Sequence, residues 1–76
     1  MDTDDGDRAL TLIGDNMRAE RARRKLTQQA VAERAKLQTA HYSRIERGTT
    51  NAGMLIYIRI ARALGVDIAT LVSGVE

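Results

Sequence analysis

Between Leu26 and Gly48 the chain reads LTQQAVAERAKLQTAHYSRIERG, and its polar side chains are hydrogen-bonding types rather than catalytic ones. Arg44 carries a forked guanidinium that matches the O6 and N7 acceptors on the edge of a guanine, a pairing that contributes roughly 1–3 kcal/mol of discrimination. Thr39 and Ala40 can meet thymine methyl groups, and Ser43 can bond to several bases with little selectivity. Nucleophilic, general-acid or metal chemistry needs a partner constellation that is missing here. His41 is the single histidine and there is no cysteine. The one carboxylate cluster, Asp2, Asp4, Asp5 and Asp7, sits at the N-terminus. An enzyme is therefore not expected, and neither is a metal or other cofactor. The same stretch holds two short helical patterns joined by a tight turn. That layout suits a helix-turn-helix whose second helix lies in the major groove of DNA.

The elements around this stretch must hold it in place. The acidic segment 1–7 is low in apolar residues and predicts a disordered leader; residues 8–76 form one domain. Asp7 is the expected cap of a first helix from about Arg8 to Arg24, with Leu10, Ile13 and Met17 at helical spacing. Thr27 caps a second helix from Gln28 to about Ala35, with Val31, Ala32 and Ala35 inward. Lys36-Leu37-Gln38 forms the turn. The third helix runs from Gln38 or Thr39 to Arg47, with Tyr42 and Ile45 inward, and Gly48 ends it in the left-handed conformation. Gln38 is a poor cap; Thr39 either caps this helix or keeps its hydroxyl for a base, and the sequence leaves both open. Asn51 is the expected cap of a fourth helix, about Gly53 to Leu64, with Met54, Tyr57, Ile58, Ala61 and Leu64 on its core face. Asp67 caps a short fifth helix, from Ile68 to about Val72.

Bulk composition agrees with such a domain. The 76 residues suffice for one small core, 43% are hydrophobic, and Tyr42 and Tyr57 are the only aromatics. Aliphatic side chains must therefore fill the interior. The net charge of +2 conceals an asymmetry, because four of the ten acids fall within residues 1–7. Residues 8–76 then carry twelve bases against six acids, a surplus of six that favours polyanionic partners. No apolar run is long enough for a membrane span or a secretory signal, so a cytoplasmic protein, associated with the nucleoid through DNA, is expected.

The chain resembles the phage repressor and Cro family of helix-turn-helix regulators. The resemblance is carried by Leu26-Thr27-Gln28, Val31-Ala32, Leu37, Ser43, Ile45-Glu46-Arg47-Gly48, Asn51 and Ala61-Arg62-Ala63-Leu64-Gly65-Val66, in order and at the family's spacing over roughly residues 12–72. It implies an all-α, five-helix, lambda-repressor-like domain that binds DNA as a dimer. Controller proteins of restriction–modification systems and small phage repressors share this size and layout. Lys25 and Lys36 stand where the family favours glycine, so both joints are expected to be remodelled or to carry on the order of 1 kcal/mol of left-handed strain.

Carried over residue by residue, the resemblance places Gln38, Thr39, Ala40, Ser43 and Arg44 toward base edges. It places Gln28, His41, Arg47, Thr49 and Asn51 toward phosphates, which set register without reading sequence. It also pairs Glu46 with Arg21 as a structural ion pair. Leu55 and Ile56 are apolar where relatives are polar, which suggests a two-fold interface of Leu55, Ile56 and Ile68 with Arg59 at its rim. The implied function is a sequence-specific transcriptional regulator, a homodimer on a palindromic operator, with RNA polymerase a further partner through Glu33. The alternative is an antitoxin or adaptor whose main role is to bind a partner protein.

Overall fold

The first helix starts earlier than the sequence suggested. In the computed structural model, which describes residues 3–75 and the side chains from Gly6 to Val75, α1 spans Thr3–Arg23. Asp7 thus lies inside the helix rather than capping it, and residues 3–7 of the expected leader are its first turns; Met1 and Asp2 lie outside the described residues. Acidic residues there are compatible with helix, because negative charge near an N-terminus complements the helix dipole. The remaining elements are α2 (Gln28–Ala35), α3 (Thr39–Glu46), α4 (Met54–Leu64) and α5 (Ile68–Leu71). No strand occurs among the described residues.

All five helices contribute to one core. Ile13 and Met17 of α1 meet Val31, Ala32 and Ala35 of α2, Tyr42 and Ile45 of α3, Tyr57, Ile60, Ala61 and Leu64 of α4, and Leu71 of α5. On α4 the inward face differs from the one expected. Ile60 is fully buried, whereas Met54 is 64% exposed. The run Met54-Leu55-Ile56-Tyr57-Ile58 is apolar at every position, so helical periodicity alone cannot say which side faces in.

Two glycines set how α1 meets α3. A Cβ on Gly14 would lie 2.2 Å from the carbonyl oxygen of Glu46, so main chain packs directly on main chain at this crossing. Gly48, at φ 74°, ends α3 in the left-handed conformation, and a Cβ there would come within 2.8 Å of the Thr11 Cα.

Of the helix starts after α1, only α2 has a side-chain cap bond; Asp67 holds the cap position of α5 but its side chain makes no bond to the first turn. Thr27 accepts a hydrogen bond from the Ala30 N–H at 3.0 Å, closing the start of α2. Lys25 and Lys36 both adopt positive φ, 55° and 59°, where glycine is the unstrained choice. The turn after α2 is nonetheless well bonded, with the Leu37 N–H donating to the Ala32 carbonyl at 2.8 Å. Asn51 does not occupy the cap of α4; Gly53 does, and the Asn51 Oδ1 accepts from the Gly53 N–H at 3.1 Å. The fifth helix is tied to the first by Asn16, whose Nδ2 donates to the carbonyls of Leu71 and Ser73 at 2.8 and 2.9 Å.

Candidate nucleic-acid interface

Helix α3 divides cleanly into two faces. Tyr42, Ile45 and Glu46 are buried, while Gln38, Thr39, Ala40 and Arg44 are exposed and Ser43 is half-buried. Gln38 occupies the cap position with extended backbone, and no side chain bonds to the first turn. Thr39 is therefore the first helical residue and not the cap. The five candidate base-reading residues lie along the outer side and N-terminal end of one two-turn helix.

The inner face is held by a charged clamp. Arg21 of α1 donates from Nε and Nη2 to the two oxygens of Glu46 at 3.0 and 2.7 Å, and from Nη1 to the Leu26 carbonyl at 3.0 Å. The Gln28 amide adds a bond to Glu46 at 3.3 Å. One carboxylate thus links α3 to the end of α1 and the start of α2. Burial disfavours the charge on Glu46, but Arg21 first, then the neighbouring Tyr42 hydroxyl and Gln28, outweigh it and hold the carboxyl below its ordinary pKa of 4.5. Arg21 is correspondingly raised, chiefly by its bonds to Glu46. The Tyr42 hydroxyl is buried beside the Arg21–Glu46 pair without a hydrogen bond of good geometry, and burial first, then the neighbouring Glu46 carboxylate, push its pKa up.

The residues assigned to phosphates are spread around the two ends of this unit. Gln28 is half-buried at the start of α2 with its amide directed at Glu46. His41 is half-buried on α3. Arg47 is exposed, and its Nη1 donates to the Ser43 hydroxyl at 3.2 Å. Thr49 is exposed but its hydroxyl donates to the Arg44 carbonyl at 3.0 Å, finishing α3. Asn51 uses its carbonyl oxygen on the loop and leaves its amide group pointing away from that bond.

The residues read as a dimer surface do not form one exposed patch. Leu55 is 77% exposed, but Ile56 and Ile68 pack against the core. Arg59 turns inward to close the end of α2, its Nε donating to the Ala35 carbonyl at 2.9 Å and its Nη2 to that of Lys36 at 2.6 Å. The outward stripe of α4 is instead Met54, Leu55 and the half-buried Ile58, one helical turn in length. Glu20, on α1, is a further ion-paired carboxylate. It is almost covered, bonded by Arg23 and by Arg24 Nη1 at 2.7 Å, and the Arg24 bond leads in lowering its pKa. Gly14 and Asn16 were missed; neither carries a chemical signature in a single sequence. Among the described residues no helix is long and apolar enough to cross a membrane, and no group of three or more His, Cys, Asp or Glu could hold a metal.

A family model described as helix-turn-helix matches residues 17–71, which takes in α2, α3, α4, α5 and the end of α1. The chain belongs to the helix-turn-helix family. This helix-turn-helix domain is 38% identical over 56 residues to an uncharacterised HTH-type transcriptional regulator of Sinorhizobium fredii, covering 74% of the chain but only 29% of that protein. Among solved structures it is similar to the restriction–modification controller protein of Aeromonas hydrophila, with a TM-score of 0.79, 26% identity, and coverage of 82% of this chain and 94% of the other. It is also similar to a hypothetical transcription factor from Neisseria, with a TM-score of 0.81, 26% identity, and coverage of 84% and 74%. The all-helical, five-helix architecture of the helix-turn-helix regulators is the one found here.

Proposed function

We propose that this helix-turn-helix protein is a sequence-specific transcriptional regulator that binds a palindromic operator as a homodimer, one recognition helix α3 in the major groove of each half-site. The observation that carries the reading is the division of α3. Its inner face is fixed by Glu46, Arg21 and Gln28, while Gln38, Thr39, Ala40 and Arg44 stand outward and uninvolved in the fold. A rigid helix with an uncommitted row of donors and methyl groups is what direct readout requires. Gln28, Arg47 and Asn51 lie where backbone contacts would set its register. On this reading the protein acts by binding and not by catalysis, in the cytoplasm, and its two recognition helices sit roughly 34–36 Å apart.

The dimer is assigned to the outward stripe of α4, with Leu55 at its centre flanked by Met54 and Ile58, because an apolar patch of this kind marks an interaction site. Selection of bound duplexes from a random pool, followed by salt titration, tests the DNA reading. Arg44→Ala should relax preference at one position per half-site, whereas Arg47→Ala should weaken all sequences about equally. Unchanged preference at every position in the Arg44 variant refutes the assignment of α3. Sedimentation tests the interface: the wild type should be dimeric and Leu55→Asp monomeric with its fold intact. A wild type that is monomeric at tens of micromolar gives the α4 stripe to a different protein, and the antitoxin or adaptor reading takes over.

A further inference from the structure

Three arginines from three helical segments line one shallow recess of about 610 Å³. Arg24 directly follows α1, Arg34 belongs to the last turn of α2 and Arg62 to the last turn of α4; Leu26, Ala63 and Gly65 complete the walls. No carboxylate is among the lining residues. Arg34 and Arg62 are exposed and join none of the ion pairs among the described residues. Arg24 is held from one side by Glu20, whose carbonyl and carboxylate both take its Nη1, which leaves Nε and Nη2 uncommitted. Dipole complementarity explains a basic residue in the last turn of each helix taken singly. It does not explain why three arginines line a common recess whose lining includes no carboxylate. Guanidinium forks match phosphate oxygens two at a time, and several together make a strong phosphate trap.

We propose that this recess is a phosphate-binding site separate from the base-reading face, since none of its residues belongs to α3. Two sources can supply the phosphate. Leu26 immediately precedes the Thr27 cap and Gln28, so the recess adjoins the end of α2 that the proposed DNA mode sets against the backbone. Phosphodiesters flanking the half-site are one source, and this assignment rests on the DNA reading. A free phosphorylated small molecule is the other, its apolar portion lying against Leu26 and Ala63, and it stands without that reading.

The test has two arms, each run on the wild type and on an Arg34→Gln/Arg62→Gln variant; both side chains are exposed, so the fold should survive, as an unchanged amide spectrum will verify. In the first arm, amide NMR spectra are recorded during titration with inorganic phosphate or adenosine monophosphate at ionic strength matched by sodium chloride. Shifts of Arg34, Arg62 and Gly65 in the wild type, absent from the variant, assign the recess to phosphate. In the second arm, affinity for the selected site is measured against salt on duplexes with and without six flanking base pairs on each side. A log–log slope shallower in the variant by roughly two per protomer, on the flanked duplex alone, assigns the source to DNA backbone, at about 0.9 per phosphate. Phosphate-induced shifts without that slope change assign it to a free ligand. Absence of both responses overturns the proposal. If no duplex is selected, the DNA reading fails by itself and the NMR arm alone decides the recess.

Discussion

Replacing Arg21 by methionine, which keeps the length of the side chain and removes its charge, should destabilise the domain by about 3–4 kcal/mol at pH 7. The Glu46 side chain is 3% exposed and Arg21 19%, so water cannot take over the guanidinium's role. Without Arg21, the carboxylate keeps only the 3.3 Å bond from Gln28. Its escape is to take up a proton. From an ordinary pKa of 4.5 that costs about 1.36 kcal/mol per pH unit, or about 3.4 kcal/mol at pH 7, which caps the electrostatic penalty. The lost bond to the half-buried Leu26 carbonyl adds about 1 kcal/mol, and the methionine stem recovers part of the packing. At pH 5 the cap falls to about 0.7 kcal/mol, so the difference between variant and wild type should shrink to about 1 kcal/mol. Urea unfolding followed by far-ultraviolet circular dichroism measures both values, at one protein concentration because self-association shifts apparent stability. Adding Glu46→Gln to the variant should restore most of the loss, since a neutral amide has no charge to strand. A loss below about 1 kcal/mol at pH 7, or an equal loss at pH 5, would refute the account of the clamp.

Other perturbations probe the joints and the core. Gly14→Ala forces a methyl group toward a main-chain carbonyl 2.2 Å away, so it should cost at least about 2 kcal/mol in a thermal melt and displace α3; an unchanged melt contradicts the crossing. Lys36→Gly should raise stability by about 0.5–1 kcal/mol, some 2–8 °C for a domain of this size, because it relieves the left-handed backbone at φ 59°. Tyr42→Phe removes a buried hydroxyl with no partner and should leave stability unchanged or raise it by up to about 1 kcal/mol; a loss of that size would reveal a bond. The wild type should lose stability as acidity rises below pH 4.5. Glu20 and Glu46 are both depressed in the fold, so the unfolded chain binds their protons first. Glu46→Gln should flatten that decline in an acid titration.

The helix-turn-helix was legible because its signals are local. Thr27 is a cap by chemistry, Gly48 is a stop, and the five buried apolar positions Val31, Ala32, Ala35, Tyr42 and Ile45 repeat at helical spacing between them. Outside that unit, local signals conflict or vanish. An acidic run reads equally as a solvated leader or as the favourable first turns of a helix, and α1 takes the second course. The apolar start of α4 hides its inward face until α2 lies beside it. Arg59 looked like a rim charge because nothing in the sequence says that the open carbonyls of Ala35 and Lys36 pass in front of it. The residues proposed to read bases are singled out by their type, whereas Gly14 matters by what it lacks.

That contact has a consequence for how such a protein changes. Where α1 crosses α3, the seat of the recognition helix is made by a glycine and a peptide carbonyl. The carbonyl belongs to the main chain and is present whatever residue stands at position 46. Docking of the helix therefore depends on one small residue and a buried inner row, and not on Gln38, Thr39, Ala40, Ser43 or Arg44. On the proposed DNA reading, those outer residues can be exchanged as a set without reseating the helix, so new sequence preferences are reachable by substitutions that leave the scaffold alone.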